Sequence, residues 1–79
     1  MILNELKSNR WAKISQIHLP WEDRKRLIEM GILPGARIKL ISKNPFGGVF
    51  LIQVEDTHLA IGLKMAKAID IEYCKEEGQ

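Results

Sequence analysis

Residues 29–35 read EMGILPG, and the apolar residues on either side of this stretch follow different periods. Before Gly31 they recur at helical spacing. After Gly35 they alternate, with Ala36, Ile38 and Leu40 set against Arg37 and Lys39. A chain that changes period across so few residues has to feed a helix directly into a half-buried strand. Gly31 is placed to end the helix in a left-handed cap, with Ile32 packing back on the last turn. Pro34 pushes Leu33 toward an extended backbone, and Pro34-Gly35 suits the centre of a type II turn. Gly31, Pro34 and Gly35 therefore read as architecture and not as a ligand grip.

The helix ahead of this corner is predicted from Leu19-Pro20-Trp21 to about Met30. Proline fits its first turn, Glu22 and Asp23 face the positive end of the macrodipole, and Glu22 stands four residues before Arg26. Trp21, Leu27, Ile28 and Met30 supply its apolar side. A weaker strand pattern over 12–17 places Ala12, Ile14 and Gln16 opposite Lys13, Ser15 and Ile17, although Ile14 and Ile17 also fit a helix. Beyond the corner, Asn44-Pro45-Phe46-Gly47-Gly48 is dense in turn formers. Val49–Val54 resumes an extended run with Phe50, Ile52 and Val54 on one face. Glu55-Asp56 closes a hairpin, with Asp56 as the residue tolerant of positive φ. Leu59 and Ile61 face inward on the next strand and His58 outward. The stretch 62–67 is long enough for one helical turn, and Ile69, Ile71 and Tyr73 alternate to the end of a last strand.

The fold class is therefore mainly β, with about five short strands, one α-helix after the first and a short helical turn before the last. A small, partly open barrel buries one face of each strand and limits exposed edges. Seventy-nine residues make one domain, with a core over about 12–73 and a frayed polar tail at 74–79. A core of this size supplies roughly 3–5 kcal/mol unaided. The single cysteine, Cys74, excludes an internal disulfide and suits a reducing compartment. The N-terminal stretch is a poor signal peptide, and no apolar run reaches bilayer length, so a soluble cytoplasmic protein with no direct membrane insertion is expected. Twelve basic against ten acidic residues is too mild a surplus to call for nucleic acid.

Catalytic groups are scarce, and no enzyme is expected. Cys74 lies at the polar end, away from any evident base. His18 and His58 have no histidine, cysteine or carboxylate at metal-clamp spacing, so both read as solvated surface histidines, and no metal ligand or cofactor is assigned. Gly47-Gly48 lacks the lysine and hydroxyl of a phosphate-binding loop. The run Asp23-Arg24-Lys25-Arg26 is the one charge cluster with functional potential, set against the plainer reading of a solvated helix face. The partner-binding candidates are Arg24, Lys25 and Arg26 with Asn44, Pro45 and Phe46, because helix and loop both project from a barrel.

The segments RLIEMGILPGARIKLI and NPFGGVFLIQVEDTHLAIGLKMAKAIDI, with the upstream Leu19-Pro20, resemble the FeoA family of bacterial ferrous iron transport. The family's R-L-x-x-[LM]-G-[ILF]-x-P-G run is matched from Arg26 to Gly35, and its L-A-[IL]-R-x-x-x-A-x-x-I pattern from Leu59 to Ile69. Two positions depart from it: Gly62 stands where the family tends to have arginine, and Asp56 where it often has glycine. The resemblance covers about Ile14 to Glu72 and implies an SH3-like barrel acting by protein–protein contact. It also implies a partner, the FeoB-type membrane permease with a guanine-nucleotide-binding domain. A weak homo-oligomer is compatible with it. A similar module forms the C-terminal domain of iron-dependent repressors.

Three functions follow for test. The first is a non-enzymatic accessory protein that binds the permease's cytoplasmic portion and modulates it. The second is a metal-sensing or metal-carrying domain, which predicts saturable Fe²⁺ or Zn²⁺ binding lost on His58→Ala or Cys74→Ser. The third is a nucleic-acid-binding small barrel, which predicts salt-dependent oligonucleotide binding.

Overall fold

The computed structural model describes residues 1–44 and 48–74. Pro45, Phe46 and Gly47 of the predicted loop, and the tail at 75–79, lie outside the described residues. The elements run β1 (Trp11–Ile17), α1 (Trp21–Glu29), β2 (Arg37–Asn44), β3 (Val49–Val54), β4 (Thr57–Gly62), α2 (Leu63–Ala68) and β5 (Ile69–Tyr73), preceded by a 3-10 turn at Leu3–Glu5. The strands form one antiparallel sheet in the order β4-β3-β2-β1-β5. It curls into an SH3-like barrel, as the alternation predicts. β4 and β5 are its two edges, so α2, which links them, carries the chain from one edge to the other across the open side.

The corner follows its predicted chemistry. Gly31 has φ +87° and the Gly31 amide donates to the Ile28 carbonyl, while the Ile32 amide donates to the Leu27 carbonyl. Those two bonds make a Schellman motif, satisfying carbonyls the helix would leave orphaned. Ile32 is buried beneath it. The Ala36 amide donates to the Leu33 carbonyl at 3.0 Å with Gly35 at φ +95°, which closes the turn around Pro34-Gly35. At the other helix end Pro20 is the N-cap residue, and its carbonyl accepts from the Asp23 and Arg24 amides.

Four expectations need correction. On β1, Ile17 is buried and Gln16 exposed, the reverse of simple alternation. The register against β5 shifts between Ile14 and Gln16, so Ser15 is an inserted bulge residue that flips the parity after it. A second shift, between Leu40 and Ser42 on β2, bends that strand in the same way. On α1 only Leu27 is buried; Trp21, Ile28 and Met30 are exposed, so the helix sits on the barrel by one anchor. In the β3–β4 hairpin the positive φ falls on Glu55, at +52°, and not on Asp56. His18, read as a solvated histidine, is exposed but has a partner: its Nε2 lies 2.7 Å from Asp70 Oδ2 on β5. With the carboxylate as acceptor, the proton sits on Nε2.

The core also begins before β1. Leu3 and Leu6 are fully buried with Ala66 of α2, and the Ile71 amide donates to the Met1 carbonyl at 2.7 Å. The N-terminal segment thus packs under α2 and against the β5 edge, and part of an edge that would otherwise offer unpaired backbone groups is covered.

Candidate protein-docking surface on helix α1

At 100° per residue, α1 divides into two flanks and a crest around its inward Leu27. Arg24, Ile28 and Trp21 share one flank, where Arg24 and Ile28 face Gln16, Ile17 and Pro34 across a shallow cleft. Lys25 and Glu29 form the crest. Asp23, Arg26 and Met30 share the other flank, which forms one wall of a groove of about 330 Å³. Its other wall is the edge strand β4. Four consecutive residues of that strand, Leu59–Gly62, line the groove, so it runs along the strand's edge and not over one face. Met65 of α2 completes it.

The apolar exposure around α1 is large for so short a helix. Trp21 is 58% exposed, Met30 49%, Ile28 41% and Leu33 37%. Single exposed apolar residues are ordinary, but Trp21 and Ile28 share one flank with the Arg24 cation, and an apolar pair beside a cation suits an interaction site. The Arg24 guanidinium lies 5.6 Å from the Trp21 ring centroid, a cation–π approach that holds charge beside the exposed indole.

Of the sequence-predicted candidates, Arg24, Lys25 and Arg26 are all exposed, but they fan out over different sides of α1. Asn44 closes β2 opposite Val49, and the clefts beside α1 are lined by other elements. Pro45 and Phe46 lie outside the described residues. Sequence reasoning missed the exposed Trp21, Ile28 and Met30, which it assigned to a buried face. The signal for them was the helix's charge: six of the nine residues in Trp21–Glu29 are charged, too many for a helix buried along a full apolar stripe. Among the described residues no three of His, Cys, Asp and Glu cluster in a way that could hold a metal ion. Among the described residues no helix is long and apolar enough to cross a membrane.

The FeoA domain family profile matches residues 1–73. The chain belongs to the FeoA domain family. Among solved structures it is similar to the FeoA protein of Chlorobium tepidum, with 25% identity over 99% of this chain and 75% of that one, at a TM-score of 0.86. It is also similar to the zinc-complexed FeoA of Stenotrophomonas maltophilia, a prokaryotic SH3 domain protein put forward as a ferrous iron transport activating factor. There the identity is 30% over 91% of this chain and 89% of that one, at a TM-score of 0.75. The metal-dependent transcriptional regulator MtsR shares the fold at 19% identity over 94% of this chain and 36% of its own, at a TM-score of 0.81. Comparison with curated proteins gives no match. This chain is accordingly a FeoA domain with an SH3-like fold.

Proposed function

We propose that this FeoA domain acts in the cytoplasm as a non-enzymatic accessory protein, binding the cytoplasmic G-domain portion of a FeoB-type permease and modulating it. One observation carries the reading: among the described residues, the exposed Trp21 and Ile28, with Arg24 beside them, leave one flank of α1 uncovered. Tryptophan and arginine together are the residue types that dominate binding energy at protein interfaces. The helix contributes only Leu27 to the core, so its nine-residue length is not required for burial of its own apolar residues. Docking against a second protein would cover those residues and leave the barrel unchanged.

Co-purification from native membranes tests this. The tagged domain is expected to retain the permease, and the exposed-site variant Trp21→Glu/Ile28→Glu to lose it while keeping the wild-type circular dichroism spectrum. Equal retention by both proteins would remove α1 as the docking surface. Failure of the wild-type domain to retain the permease at all would remove the proposed partner.

A further inference from the structure

A second surface, away from α1, lies on the outer face of β1 and β2. The register pairs Trp11 with Lys39 and Lys13 with Arg37, so these four residues form a two-by-two cluster on adjacent strands. The Arg37 guanidinium carbon lies 4.6 Å and Lys39 Nζ 5.0 Å from the Trp11 ring centroid. Arg10, one residue before Trp11, lies 4.1 Å from the Tyr73 ring centroid at the strand's start. Three cations are thus held over two aromatic rings, and Lys13 stands beside them.

The carboxylates around this cluster do not neutralise it. Glu55 lies next to Arg37, but its Oε2 accepts the Arg37 backbone N–H at 2.8 Å and is directed at the main chain. Glu72 is paired in register with Lys13. The His18–Asp70 ion pair lies toward the far end of β1 and takes up none of these cations. Arg10, Arg37 and Lys39 are therefore positioned by ring contacts, while Lys13 faces Glu72 across the strand pair. Cations held in place lose less side-chain entropy when an anion arrives.

We infer that the Trp11–Lys13–Arg37–Lys39 face is a docking site for an acidic, Asp/Glu-rich segment of a partner protein. Charge complementarity selects an anionic occupant, and the rings select its class. A single-stranded nucleic acid needs open aromatic faces for base stacking, whereas the Trp11 ring already carries two cations over it. A bilayer surface favours an apolar, aromatic-tipped element flanked by basic residues, which this pleated face does not present. Carboxylates in an extended chain, spaced at strand-like intervals, would meet Lys39 and Arg37 on one strand and Lys13 on the next. The indole beneath would anchor the contact.

The site is independent of the α1 surface, so its test does not depend on that reading. In a Trp21→Phe background Trp11 is the single tryptophan and reports its own surroundings. This protein is titrated with a short alternating Asp/Glu peptide, and in separate arms with an oligothymidylate of equal charge and with phosphatidylglycerol vesicles. The expected result is a saturable change in Trp11 emission with the peptide, weakened about tenfold by the pair Arg37→Glu/Lys39→Glu and by raising salt. Arg24→Glu/Lys25→Glu on α1 should leave the affinity unchanged. Of the five charges reversed, Lys13, Arg24, Lys25 and Arg37 are exposed and Lys39 is half-buried, and circular dichroism checks that each variant is folded; Lys13→Glu serves as a second variant should the pair fail to fold. No Trp11 response to the peptide, equal weakening by the α1 variants, or a tighter response to oligothymidylate or vesicles would overturn the inference.

Discussion

Glu55 holds both backbone polar groups of Arg37: its amide donates to the Arg37 carbonyl at 2.9 Å, and its Oε2 accepts the Arg37 amide at 2.8 Å. The geometry needs Glu55 at φ +52°, a left-handed conformation that costs a residue with a Cβ. The hairpin therefore gives up backbone ease at one position to fix the start of β2, from which Arg37 projects toward Trp11.

The two contributions can be separated. Glu55→Ala and Glu55→Gly both lose the carboxylate, but only glycine relieves the positive φ. Glu55→Ala is expected to be less stable than Glu55→Gly by about 1 kcal/mol in chemical denaturation. Equal stability would mean that the backbone conformation at Glu55 carries no strain.

Two glycines respond in opposite directions. An added Cβ meets nothing within 4 Å at either Gly31 or Gly62, so space does not distinguish them. Gly31 sits at φ +87°, and Gly31→Val should lower stability by about 1 kcal/mol or more from conformation alone. Gly62 is the N-cap of α2, with φ −83°, ψ 170° and no side-chain capping bond. Gly62→Ser should supply that bond and stabilise the domain by about 0.5–1 kcal/mol. The same open geometry accommodates the arginine that the FeoA family tends to carry there. Thermal denaturation of the two variants side by side checks the contrast.

Leu6 is expected to behave as a core residue although it precedes the first strand. It is fully buried, and Leu6→Ala should cost about 2–5 kcal/mol. A change within a few tenths of a kcal/mol in urea unfolding would show that the N-terminal segment is not part of the cooperative unit.

What the sequence revealed and what it concealed divide along physical lines. The corner at Gly31–Gly35 was legible because each of its residues has a local conformational preference, and the inward sets on β2, β3 and β5 because a period of two survives in the sequence. The flip at Ile17 was not legible: a bulge adds one residue to accommodate the curvature of the curled sheet, which no local pattern records. Burial of Leu3 and Leu6 depends on where α2 and β5 arrive, and those lie some sixty residues later. The same distance hid the His18–Asp70 contact, whose partners are 52 residues apart. At the surface, the basic run on α1 was visible as a charge cluster. Its apolar companions were misassigned, because helical spacing cannot tell an apolar flank packed on a barrel from one left open. The cations gathered on Trp11 are invisible in sequence for another reason: Trp11 meets Arg37 and Lys39 only through strand register.

The central claim is that α1 docks on the cytoplasmic G-domain portion of a FeoB-type permease. Isothermal titration calorimetry of that portion from the same organism, with and without guanine nucleotide, tests it most directly. Saturable binding is predicted, weakened by about 2 kcal/mol or more in Trp21→Ala and unaffected in a control variant such as Lys67→Ala on α2. No saturable heat in any nucleotide state, or binding by Trp21→Ala as tight as by the unaltered domain, would contradict it.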